Sequence, residues 1–170
     1  MSRASLGAFA PAPAAPLPVD LEVPNPRGFI ALLEAFRASG GTAPGEIVER
    51  LLAEHQIGNA GSLAWLLEAR QIFGFEWRAS LWIPMFQFDS GDLAPHAGAK
   101  QVRAELPPLW SGWAVAAWFA AANTHLAGCR PVDRLNSDLD AVLQAVDALE
   151  MVDEFVPYHL RRVHGPSLHV

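Results

Sequence analysis

Trp118–Ala145 reads WFAAANTHLAGCRPVDRLNSDLDAVLQA, and its punctuation decides how the rest of the chain is read. An apolar helical run ends at Asn123, and a tight turn is built on Gly128 and Pro131. A short apolar step then carries Val132 and Leu135, and a second amphipathic helix starts after Ser137. Gly and Pro between two periodic runs mark a helix stop followed by a restart. Asp138 and Asp140 fall in the first turn of the second helix, where free backbone N–H groups and the helix dipole favour negative charge. Capping therefore accounts for them, and for Asp133, better than metal binding does. Nothing in this arrangement suits nucleophilic or metal catalysis.

Downstream, Leu139, Val142, Leu143, Val146 and Leu149 form one stripe. Upstream, a helix over about Ser111–Ala122 follows a shorter one over about Gly98–Leu106, the two parted by Pro107-Pro108. Asp89–Pro95 is a loop with an Asp-Ser-Gly-Asp turn signal. Before it, residues 73–88 (FGFEWRASLWIPMFQF) change period. Phe73, Phe75 and Trp77 alternate with Gly74 and Glu76 as a half-buried strand does, and Leu81–Phe88 is a second run rich in aromatic and β-branched residues. Arg78, Ala79 and Ser80 are expected to turn this hairpin, and Pro84 to place its second strand at an edge or on a bulge. A two-stranded hairpin is barely stable in water, so its aromatic face must pack on helices. Trp110, Trp113 and Trp118, spaced by three and five, cannot all point one way, so at least one is expected at the surface.

The first helix is expected from Asn25 as cap and Pro26 at its first position, with Phe29, Leu32, Leu33 and Phe36 on one face and Gly40-Gly41 at its end. Thr42 and Pro44 are read as opening a second helix, whose stripe is Ile47, Val48, Leu51 and Leu52. Gly58 and Gly61 mark a turn, and Ser62 starts a third helix with Leu63, Leu66 and Leu67. The Ala- and Pro-rich start, AFAPAPAAPLP, reads as an extended arm without the apolar core of a signal peptide. The expected division is a flexible arm over 1–24, a helical N-terminal part over 25–72, a hairpin with helices over 73–154, and a tail over 155–170. The fold class expected is mainly α with one β-hairpin, in a single helical domain.

The 170 residues suffice for one domain, and a 51% hydrophobic fraction with six tryptophans gives it a sizeable core. Charged residues make up 18%, below the roughly 25% of soluble domains, which mildly favours self-association or a protein partner. A net charge of −6 argues against a nucleic-acid clamp. No run is long enough to cross a bilayer, and a cytoplasmic location is expected. Cys129 is the only cysteine. It reads as a small filler residue, since a reactive thiol would need a nearby base and His125 is the one local candidate. The six histidines show no H-x-x-x-H or H-E-x-x-H spacing, and no nucleophile elbow, phosphate loop or dinucleotide fingerprint is present. No catalytic, cofactor or metal-ligating residue is therefore assigned.

The helices near 47–55 and 62–70 have helix-turn-helix spacing, with the hairpin where a wing would sit. The second offers Ser62, Glu68, Arg70 and Gln71 beside Trp65 and three leucines, a poor set for reading a major groove. A structural helix pair is preferred. After Glu154 the chain carries Arg161, Arg162, His159 and His164 and no acid, which reads first as a solvated terminus and second as a cationic peptide for an anionic cleft.

Trp118, Phe119, Asn123, Leu126, Gly128, Pro131, Leu135, Asp138, Val142 and Ala145 together resemble the toxin-binding domain of the Xre/MbcA/ParS-type antitoxins. Trp82–Asp89 (WIPMFQFD) is similar to the P-x-F-Q-F strand that precedes that domain. The resemblance spans roughly residues 60–150. It implies a mainly helical homodimer that neutralises a cognate toxin protein, often a RES-type NAD-consuming enzyme. It also implies that an N-terminal helix-turn-helix can serve DNA binding, and that C-terminal residues can enter the toxin's active site. The partner-binding residues expected are Asn123, Leu126, Gly128, Arg130, Pro131 and Arg134 at the turn, with Arg161, Arg162 and His164 in the tail. The function expected first is an antitoxin-like module without catalytic activity; the alternative is a winged-helix-like transcriptional regulator.

Overall fold

A computed structural model describes residues 23–55 and 62–154 of the chain. The arm up to residue 22, the Gly58–Gly61 turn and the tail with Arg161, Arg162 and His164 lie outside the described residues.

The chain is mainly helical, with a small antiparallel sheet. Helix α1 (Pro26–Phe36) starts where Asn25 accepts a hydrogen bond from the Gly28 N–H at 2.8 Å, and buries Leu32 and Phe36 completely. Gly40 and Gly41 both hold positive φ, 102° and 78°, which only glycine adopts freely, and they swing the chain back across the sheet. Thr42 and Pro44 do not open a helix. They form strand β1 (Thr42–Pro44), and helix α2 (Gly45–His55) begins one residue later. Helix α3 (Leu63–Glu68) is capped by Ser62 as expected.

Strands β2 (Phe75–Trp77) and β3 (Ser80–Pro84) form the hairpin, closed by the Trp77–Ser80 pair. Only Arg78 and Ala79 make the turn, both at positive φ (48° and 60°), as a two-residue hairpin matched to strand twist requires. The sheet order is β1-β3-β2, so β3 is central rather than an edge. Pro84 is tolerated there because it occupies the last ladder position, opposite Thr42, and the next amide, Met85 N–H, resumes pairing with the Gly41 carbonyl at 2.9 Å. The second aromatic run does not stay extended to Phe88. Met85–Gln87 coils into a 3₁₀ turn.

Helix α4 (Ala97–Glu105) is capped by His96, whose Nδ1 accepts from the Ala99 N–H. Helix α5 (Gly112–Ala120, GWAVAAWFA) is apolar on every side and buried nearly throughout, as befits the central element of a bundle. It stops at Ala120, three residues before Asn123. The apolar step forms a short helix α6 (Pro131–Arg134), and α7 (Leu139–Glu154) follows, with the Asp138 carboxylate accepting from the Ala141 N–H.

Packing on α5 explains the larger core. Phe119 stacks on Phe73 with centroids 5.6 Å apart and meets Phe86 at 4.9 Å. The hairpin's aromatic face packs on α1, as its marginal stability demands: Phe29 stacks on Trp77 at 5.2 Å and meets Trp82 edge-on at 5.1 Å. A smaller core of Val48, Leu52, Leu63, Leu66, Ile72, Ile83 and Phe88 ties α2 and α3 to the other side of the sheet. Trp113 and Trp118 are buried and Trp110 half-buried. The tryptophan at the surface is instead Trp65, 48% exposed, on α3. The expectation for the triplet fails because Trp113 and Trp118 belong to the larger core and Trp110 packs against it.

Candidate functional site

The turn between α5 and α6 is built around Asn123. Its side chain accepts from the His125 N–H at 2.8 Å, and its carbonyl accepts from Leu126 and Gly128 at 3.1 and 2.9 Å. Its own N–H donates to the Cys129 carbonyl at 3.0 Å. Ala127 and Gly128 are consecutive left-handed residues, φ 54° and 81°. Leu126 and Pro131 plug into the core, whereas Thr124, His125, Ala127 and Gly128 are exposed. The six turn residues thus divide by role. Asn123, Leu126 and Pro131 shape and anchor the turn, and Gly128 presents its backbone.

Arg130 and Arg134 are half-buried beside it. Arg130 makes a two-pronged ion pair with Asp133, Nε to Oδ2 at 2.6 Å and Nη2 to Oδ1 at 2.8 Å. That hydrogen bonding holds its pKa above the ordinary value despite partial burial. Arg134 donates through Nη2 to Cys129 Sγ at 3.4 Å, and this contact likewise raises its pKa. Asp133 therefore partners Arg130 and does not cap. With side chains 34% and 41% exposed, the pair contributes little to folding. Asp133→Asn is expected to lower stability by less than about 1 kcal/mol in urea unfolding, leaving it usable as a probe of binding alone.

The residues from α6 onward lead into a groove of about 590 Å³. Its apolar floor is Met85, Phe86, Phe88, Leu93, Val132 and Leu135; its rim is Ser39, Gly40, Asp89, Ser90, His96 and Asn136. Two stretches far apart in sequence, the WIPMFQFD run and the Pro131–Asn136 step, thus line one surface feature. Sequence reading singled out both stretches and missed their meeting. It also missed His96, Ser90 and Leu93, whose one signal was the Asp-Ser-Gly-Asp turn. Leu93 is held at φ 56°, and the loop is pinned by Asp89 N–H to the Ala94 carbonyl and His96 N–H to the Gln87 carbonyl, at 2.9 and 2.8 Å. Since His96 Nδ1 accepts the capping bond, the neutral ring carries its proton on Nε2.

Gln87 lies in sequence between the groove residues Phe86 and Phe88. It is 2% exposed, accepts from the Phe73 N–H at 2.7 Å, and donates to the carbonyls of Phe73 at 2.8 Å and Pro84 at 2.9 Å. Among the described residues no three His, Cys, Asp or Glu side chains cluster as a metal site would require. The exposed side of α3 offers Trp65 and Glu68, and Arg70 beyond it is turned to backbone carbonyls. No helix among the described residues is long and apolar enough to cross a membrane.

Fold and groove define a mainly helical domain with a three-stranded antiparallel sheet and an open, apolar-floored groove. No protein-family model, curated protein or solved structure matches the chain.

Proposed function

We propose that the chain is an antitoxin-like interaction module that binds and neutralises a partner toxin by occlusion, without catalysis of its own. One observation carries this reading: Met85, Phe86, Phe88 and Asp89 from one stretch that bears the antitoxin resemblance and Leu135 from the other line a single groove, and the turn upstream exposes Thr124, His125, Ala127 and Gly128. An apolar floor with a polar rim suits capture of a protein segment, since the floor supplies burial and the rim fixes orientation. By the resemblance, the partner is a RES-type NAD-consuming toxin, the working unit is a homodimer, and Arg161, Arg162 and His164 supply the contacts to the toxin's active site.

Co-expression with the product of the neighbouring gene, followed by gel filtration, tests the proposal. Co-elution is expected, and elution as two separate proteins counts against it. Arg134→Glu, beside the groove in sequence, combined with Asn136→Arg on its rim leaves the floor untouched. The double variant should weaken the complex at least tenfold, about 1.4 kcal/mol, while its circular dichroism stays that of the parent. Unchanged affinity would move the interface away from this groove.

A further inference from the structure

Among the described residues Arg103 is the charged residue that the core encloses. It is 8% exposed, and its Nε and Nη1 are shut off from solvent with no hydrogen-bond partner among the described residues. Its third nitrogen, Nη2, is not among the enclosed atoms. A second guanidinium reaches the C-terminal end of α4, the helix that carries Arg103. Arg70, held in left-handed backbone at φ 54°, donates through Nη1 to the Pro108 carbonyl at 3.2 Å and through Nη2 to the Leu106 carbonyl at 3.4 Å. Those carbonyls lie just past the end of α4, three and five residues after Arg103. The ion pairs among the described residues are Arg37–Glu34 and Arg130–Asp133, so neither Arg70 nor Arg103 has an acidic partner there.

Burial, reinforced by Arg70, lowers the pKa of Arg103 to about 10, so it stays cationic at neutral pH. The folded group binds its proton less tightly than the unfolded one. The charge therefore opposes folding below pH 10, and the penalty is relieved only as pH rises through that value. An enclosed, unpaired charge repelled by a like charge is a costly arrangement unless something else neutralises it.

We propose that Arg103 and Arg70 form a binding site for a phosphate-class oxyanion. A dianion offsets both cations, whereas a single carboxylate would leave one uncompensated. Nε and Nη2 share one edge of the guanidinium plane, so an anion bound at Nη2 pairs with the unsatisfied Nε–H as well once that edge opens to admit it. The bonds of Arg70 to its two carbonyls are long, and exchange of these for charge-assisted bonds to the anion is favourable.

Thermal unfolding and titration calorimetry of the full chain test this, with inorganic phosphate against sodium chloride at equal ionic strength and glycerol 3-phosphate as a third arm. Phosphate at a hundredfold excess over its Kd should raise the Tm by about 5 °C. Tighter binding of the ester points to a phosphorylated molecule, and tighter binding of phosphate to the free ion. Arg103→Met should melt higher than the parent in chloride and lose the phosphate shift. Arg70→Met, which leaves the core intact, should weaken phosphate at least tenfold. A phosphate response no larger than that of chloride, or one retained in either variant, overturns the proposal.

Discussion

Gly112→Ala is expected to be the most damaging single methyl that can be added to this chain. A Cβ on Gly112 would lie 1.7 Å from the Gly74 carbonyl oxygen and 2.8 Å from its carbon. Both are backbone atoms at the threshold of β2, so no side-chain rotation relieves the clash. Gly74 is itself tightly surrounded: a Cβ there would lie 2.6 Å from Ile83 Cδ1 and 2.8 Å from Leu81 Cδ1. Central helix α5 must therefore lift off the sheet, opening the contacts of Trp113 with Phe75 and of Phe119 with Phe73. Overpacking against side chains costs about 1–3 kcal/mol. Against two backbones the loss should reach about 4 kcal/mol, or roughly 10 °C in Tm. Gly91→Ala, with nothing within 4 Å, serves as the control and should be neutral to within about 0.5 kcal/mol. Equal melting of the two variants would mean that α5 and β2 do not pack this closely in solution.

Gln87→Leu should cost nearly as much by a different route. The shape is roughly preserved, but Phe73 N–H, Phe73 C=O and Pro84 C=O all lose their partner inside the protein. Each buried orphan costs about 1–3 kcal/mol, so a total of about 3–5 kcal/mol is expected in urea unfolding. Gln87→Glu separates hydrogen bonding from packing. The buried carboxyl is stable there only when protonated, which raises its folded pKa above the unfolded value. Its stability is then fullest at low pH and falls as pH rises through the folded pKa. A flat profile for Gln87→Glu, or a Gln87→Leu variant as stable as the parent, would show that this amide does not brace the groove.

Gln87 also shows where sequence reading stops. In a run of large apolar residues a lone amide gives no local sign of being buried, because its partners lie fourteen residues upstream in Phe73 and one turn back in Pro84. The caps were legible for the opposite reason. Asn25, Ser62 and Asp138 each bond to an amide three residues along, so residue type and spacing carry the whole interaction. The candidate site divides in the same manner. The turn at Asn123–Gly128 could be read locally, down to the glycine at positive φ, but its union with Met85–Leu93 could not. Arg103 was passed over because one arginine on a short helix reads as solvated until the neighbours that enclose it are known.

Thr42–Pro44 shows the same division. By itself a Thr-Ala-Pro step before a helical stripe is as good a helix opening as a strand. It becomes a strand because β3 offers a row of unpaired amides and carbonyls on that side. What the sequence determined alone is therefore what acts within one turn of helix or one hairpin: the caps, the apolar stripes, the glycine and proline punctuation and the mainly helical class. What only the tertiary structure decided is whatever depends on contacts distant along the chain. These include the central place of β3, the backbone-tight seat of α5 on Gly74, the enclosed guanidinium and the groove. Local spacing fixes which groups can meet nearby, whereas burial and long-range pairing are set only when the whole core closes.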